Sequence, residues 1–178
     1  VLLAATLAIL YAGQPLLERF DQRQTHTALT SLWMLKEGVR LDYLTPILGY
    51  PWTIPFEFPI YNAVVAVIAR IGNFPLDNTG RLISFCFLIA SGFPAYQIAR
   101  RLDLPAQTFW IFYAVLLSSP VYLFWGRSFL IETTAFFFTL MFMPYALDMR
   151  LPHIRWQTML LFIFFASLAA LQKMPAAS

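Results

Sequence analysis

The sequence predicts an all-α fold: a polytopic transmembrane helical bundle with about five spans and a helical external first loop. Composition is the first reason. Of 178 residues, 60% are apolar, 17% aromatic and only 12% charged, about half the charge of an ordinary soluble domain. The distribution of charge is the second. No ionisable Asp, Glu, Lys or Arg lies between Asp103 and Arg127, or between Glu132 and Asp148. The third is that several uncharged runs approach the ~20 residues a helix needs to cross the hydrocarbon layer. Together these exclude a disordered chain, a small disulfide scaffold and an ordinary soluble enzyme domain.

Residues 1–17 are uncharged and reach the lower length limit, so they read as span one. They are too long, and lack the small-residue cleavage site, for a signal peptide. The chain opens without Met and stops soon after another apolar stretch, which predicts the N-terminal part of a transmembrane domain truncated at both ends. Residues 18–81 form the external loop. Within it, Gln22 to Glu37 reads as an amphipathic surface helix capped by Asp21, with Ala28, Leu29, Leu32 and Trp33 on one face and Gly38 as its stop. Pro46, Pro51, Pro55 and Pro59 interrupt the next stretch of chain, and Trp33 and Trp52 suit the headgroup zone. Pro59 then opens an apolar segment, 58–69, whose 12 residues suit an interfacial or re-entrant helix better than a span.

Span two is 82–99, between Arg81 and Arg100. Span three is 104–126, with Pro105 suited to its first turn. Span four is 128–147, interrupted only by Glu132, and span five is 156–172, between Arg155 and Lys173. With a cytoplasmic N-terminus, this layout puts Arg100, Arg101, Arg150 and Arg155 in short cytoplasmic loops, as the positive-inside rule prefers. The net charge of +3 therefore speaks to topology, not to nucleic acid.

Soluble catalytic signatures are missing from the sequence: no Walker loop, GxGxxG, GxSxG or zinc-spaced Cys/His set occurs. Cys86 is the single cysteine, and His26 and His153 are too far apart in the layout to share a metal. Nothing in the sequence calls for a metal or a cofactor. Glu132 stands out as an acid about one turn inside the outer end of span four, a functional candidate by default. Its bland alternatives are an ion pair with Arg127 or an acid snorkelling outward. Asp21 follows span one, where a helix cap holds a carboxylate rigidly at the membrane surface. Arg23, Lys36, Arg81, Arg127 and Lys173 share the outer side; singly they suit headgroup contact, and together they suit a lipid phosphate. Tyr61 and Asn62 read as interfacial packing rather than ligands.

The run FDQRQ after span one, then PFEFPIYNAVVAVIARIG and GRLISFCFLIASGFPAYQIARRL, resembles the GT-C superfamily of polytopic glycosyltransferases. The later SPVYLFWGRSFLIETTAFFF and ALQKMP resemble the same branch, the bacterial relatives of protein O-mannosyltransferases and of the aminoarabinose transferase acting on lipid A. The resemblance implies a multi-pass protein of the bacterial inner membrane whose site faces the periplasm or exterior. It implies transfer of a sugar from a polyprenyl-phosphate carrier to a lipid, glycan or protein acceptor. It also maps the family's acidic position in the first external loop to Asp21 and a later acid to Glu132. Many relatives carry paired acids at the first motif, where this chain has Asp21 followed by Gln22.

An inverting displacement needs a base for the acceptor proton and a cation for the departing phosphate. On this reading Asp21 is the base, Glu132 is a catalytic-site acid positioning Arg127 or the acceptor, and Arg127, Lys173, Arg23 and Arg81 bind substrate. The rival reading is a transporter or flippase with Arg127 and Glu132 in an ion-coupled path, and a third is a non-catalytic assembly subunit.

Overall fold

The computed structural model describes residues 2–11, 13, 16, 20–41, 57–150 and 155–172. Every regular element among them is an α-helix: α1 Leu2–Tyr11, α2 Asp21–Glu37, α3 Ile60–Gly72, α4 Leu76–Ala90, α5 Gly92–Arg101, α6 Ala106–Ser118, α7 Pro120–Gly126, α8 Glu132–Asp148 and α9 Trp156–Gln172. Pro46, Pro51, Trp52, Pro55, His153 and Lys173 lie outside the described residues.

Helix limits follow local chemistry. Phe20 sits in the left-handed region (φ 64°) and Asp21 is the first residue of α2 rather than its cap. The Asp21 carboxylate accepts the Gln22 backbone N–H at 2.7 Å, within the helix start that the sequence places after it. Gly38, at φ 99°, ends α2 as its position predicts, because a side chain is rarely tolerated in that conformation. α4 and α5 join through Ser91 into one helix of 26 residues, Leu76–Arg101, about 39 Å long. Among the described residues it is the one helix long and apolar enough to cross a membrane. Residues 104–126, expected as one run, divide instead: α6 and α7 meet at 68°. Pro120 lacks an N–H and disfavours helical geometry at the residue before it, and Ser119 accordingly adopts ψ 124°. α8 starts at Glu132, which therefore lies at the helix's first position and not a turn inside it.

Hydrogen bonds fix how the helices run. Asn62 donates to the Thr27 carbonyl at 2.8 Å, and Arg70 donates to the Leu35 carbonyl. These contacts advance together along both helices, so α2 and α3 pack in parallel. Asn73, at φ 49°, then turns the chain back into α4, where the Tyr61 hydroxyl donates to the Gly80 carbonyl at 2.8 Å. At the far end of the bundle Arg101 grips Asp148 with two bonds, Nε to Oδ1 at 2.8 Å and Nη2 to Oδ2 at 3.0 Å. The ends of α5 and α8 therefore lie side by side.

The described interior is mixed, with apolar clusters around Tyr61, Phe129 and Ile131 and around Leu88 and Leu116 beside many buried polar side chains. Gln24, Thr27, Ser31, Asn62, Arg81 and Ser84 are buried, whereas Trp110, Ile111, Val115, Ile163 and Phe164 are exposed. On α2 the inward face is centred on Thr27, Ser31 and Met34; Leu29, Leu32 and Trp33 are half-buried. Of the face expected there, Ala28 alone is buried. Small and polar residues let helices approach closely and bond to one another, which is what this interior uses. Likewise Tyr61 and Asn62 are buried hydrogen-bonding anchors, not interfacial packing.

The link between α7 and α8 is the least expected part of the core. Phe129, Leu130 and Ile131 are buried yet not helical. The Phe129 ring lies edge-on to Tyr61 at 5.8 Å between centroids, and a Cβ on Gly80 would meet it at 2.2 Å. Gly80→Val is expected to lower stability by about 1–3 kcal/mol, as overpacking does in a filled core. Thermal unfolding of the purified protein measures it, and an unchanged midpoint would show that Phe129 is free to move aside.

Candidate functional site

Three ionic side chains meet where α2 begins, α3 is entered and α8 begins. Arg23, in the first turns of α2, reaches Glu57 with Nη2 at 2.6 Å and Glu132 with Nη1 at 3.1 Å. The guanidinium side chain is 42% exposed and that of Glu132 only 6%, so the pair spans the boundary between interior and surroundings. The sequence sets Glu132 beside Arg127; the ion pair the structure builds is with Arg23, more than a hundred residues away in sequence. Arg127 instead follows α7 and lies over the Phe124 ring, 5.6 Å from its centroid.

Beneath the ions is a hydrogen-bonded layer that holds the buried link. Gln24 Oε1 accepts the Phe129 N–H at 3.1 Å, and Ser84 Oγ donates to the Leu130 carbonyl at 3.0 Å. Ser84 Oγ also lies 2.9 Å from the Tyr61 hydroxyl. Burial pushes the Tyr61 phenol far above its ordinary range; the Ser84 hydrogen bond and the Arg81 cation oppose that shift, and Glu132 adds to it. Tyr61 is held as a neutral phenol whose hydroxyl ties α3 to α4. Arg81 is 1% exposed. Expected at the outer surface, it is held inside the protein.

The end of α9 closes the layer. The Phe58 N–H donates to the Leu171 carbonyl at 3.4 Å, which brings Gln172 to the level of Glu57. The Thr133 and Thr134 hydroxyls and both amide atoms of Gln172 are buried and have no hydrogen-bond partner among the described residues. Such groups each cost about 1–3 kcal/mol when left unsatisfied.

Of the residues singled out from the sequence, the structure joins Arg23 to Glu132 and sets Arg81 in the layer below. Asp21 is exposed at the start of α2, and its described contact is with its own Gln22 N–H. The neighbouring Phe20 ring packs on Phe124 at 6.2 Å, so Phe20 and Arg127 share one aromatic side chain. Glu57, Gln24 and Gln172 join the site without having been candidates. Glu57 carries a signal, being the only Asp, Glu, Lys or Arg between Asp42 and Arg70. Among the described residues no group of three His, Cys, Asp or Glu is placed to hold a metal.

Comparison with protein-family models, with curated proteins and with solved structures finds no match to this chain.

The Arg23–Glu132 contact is open to a double-mutant cycle. Arg23→Gln and Glu132→Gln should show a coupling energy of about 0.5–3 kcal/mol in unfolding measurements. A coupling near zero would mean that the two side chains are neighbours without being partners.

Proposed function

We propose that the chain forms part of a polytopic membrane glycosyltransferase of GT-C type, moving a sugar from a polyprenyl-phosphate carrier to a lipid, glycan or protein acceptor at the outer membrane face. What supports the reading is one juxtaposition. An exposed carboxylate, Asp21, stands two residues before Arg23, which is paired with Glu57 and Glu132. That pairing lies above buried polar groups that have no hydrogen-bond partner among the described residues, on a helical body with many exposed large apolar side chains. Exposed large apolar side chains around helices that bond to one another through buried polar groups suit a bundle surrounded by lipid. A polar layer at one end suits a sugar phosphate that arrives by lateral diffusion.

In the proposed reaction the acceptor oxygen or nitrogen attacks the anomeric carbon as Asp21 takes its proton. The bond from that carbon to the phosphate oxygen breaks, and its electron pair leaves on the polyprenyl phosphate. Arg127 meets the phosphate charge, with Arg23 and Lys173 as further cations. Glu132 is a positioning residue: with Glu57 it fixes the Arg23 guanidinium. Buried polar groups such as Gln172 would regain hydrogen bonds from sugar hydroxyls.

Asp21→Asn keeps the size of the side chain and loses the base. In vesicles supplied with polyprenyl-phosphate sugars and candidate acceptors, it should lower turnover by about 100-fold or more, the range for a lost general base, with unfolding unchanged. Near-normal turnover would remove Asp21 from the base role.

A further inference from the structure

The opposite end of the bundle carries a second feature that sugar transfer leaves unused. An open groove of about 290 Å³ lies between α5, α6 and α8. Its small residues are Ala95 and Ala99, one turn apart on α5; Phe109 and Phe112 of α6 and Leu140 and Met143 of α8 are among its walls. The groove exists because α6 buries only Leu116 and Leu117, near its far end, so its first turns wall a space instead of filling one. The lining is nearly all apolar, Thr108 supplying the exception, and the volume is at the small end of the range for ligand sites. A segment of hydrocarbon chain fits that description.

The charge beside it specifies the rest. Arg100 follows Ala99, is exposed, and lies over the Tyr96 ring at 6.0 Å. No ion pair of Arg100 occurs among the described residues, whereas Arg101 is committed to Asp148 and to Gln97. Arg150 and Arg155 are exposed and flank the end of α8 and the start of α9. Four arginines thus face two aspartates, Asp103 and Asp148, at this end. A neutral ligand would leave that excess unused.

We propose that the groove holds an acyl chain of an anionic phospholipid whose headgroup phosphate rests on Arg100. The proposal depends on the bilayer reading above but not on sugar transfer. The purified protein, placed in nanodiscs of equal phosphatidylcholine and phosphatidylglycerol, is released into a mass spectrometer under native conditions and its retained lipids are counted. Phosphatidylglycerol should be retained about fivefold over phosphatidylcholine, the ratio for one basic residue near an anionic surface. Arg100→Gln, an exposed change that gives up the stacking on Tyr96 and leaves the Arg101–Asp148 clip in place, should bring the ratio close to one. Ala99→Phe should fill the groove and remove the bound lipid. Equal retention of the two lipids by the unaltered protein overturns the proposal, as does a preference that survives Arg100→Gln. Dimer masses in place of bound lipid would assign the groove to a second copy and also overturn it. Protein that fails to enter the nanodiscs overturns the bilayer reading itself, which is seen before any lipid is counted.

Discussion

A buried stretch of non-helical backbone must find hydrogen bonds from outside itself, and this requirement organises the fold. Phe129, Leu130 and Ile131 lie in the core with little of a helix's own bonding to satisfy them. The Phe129 N–H is met by Gln24 of α2 and the Leu130 carbonyl by Ser84 of α4. Those two side chains in turn dictate where α2 and α4 stand. Tyr61 then ties α3 to α4 through Gly80 and Ser84, and the missing side chain of Gly80 admits the Phe129 ring. The polar interior is thus the scaffold of an irregular segment, and the ions above it sit on that scaffold.

The two ends of α8 are each fastened by an arginine from a remote helix, Glu132 to Arg23 and Asp148 to Arg101. The acids are separated by about 24 Å of helix at 1.5 Å per residue. Between them the helix contributes no charge. A helix whose charges stand only at its two ends is one a bilayer tolerates. The two ends differ in character. One is a layered, partly buried cluster, and the other is a single bidentate clip beside an excess of exposed arginines.

Local signals in the sequence are legible wherever the deciding interaction is also local. Gly38 ends α2 through its own backbone freedom, and α9 occupies the uncharged stretch bounded by Arg155 and Lys173. The break at Ser119–Pro120 has a local cause, yet counting apolar residues passes over it because serine and proline do not interrupt an uncharged run. The site is harder to read. Arg23 and Glu132 are joined only by the tertiary fold, and Arg81 is buried in a stretch where an arginine at the edge of an apolar run ordinarily reaches for the surface. The inward face of α2 is hidden for a related reason: its largest apolar residues point to one face, whereas this interior selects small and hydrogen-bonding ones.

The meeting of α2, α3 and α8 at one level carries a further electrostatic consequence. All three helices begin there, each with an acid at or just before its first turn: Asp21, Glu57 and Glu132. The aligned peptide dipoles give each helix start the equivalent of about half a positive charge. The backbone therefore offsets much of the negative charge before any side chain does, and a single half-exposed guanidinium can serve two carboxylates. Part of the counter-charge at this end is built into the fold's direction of travel, where no substitution of a single side chain can remove it.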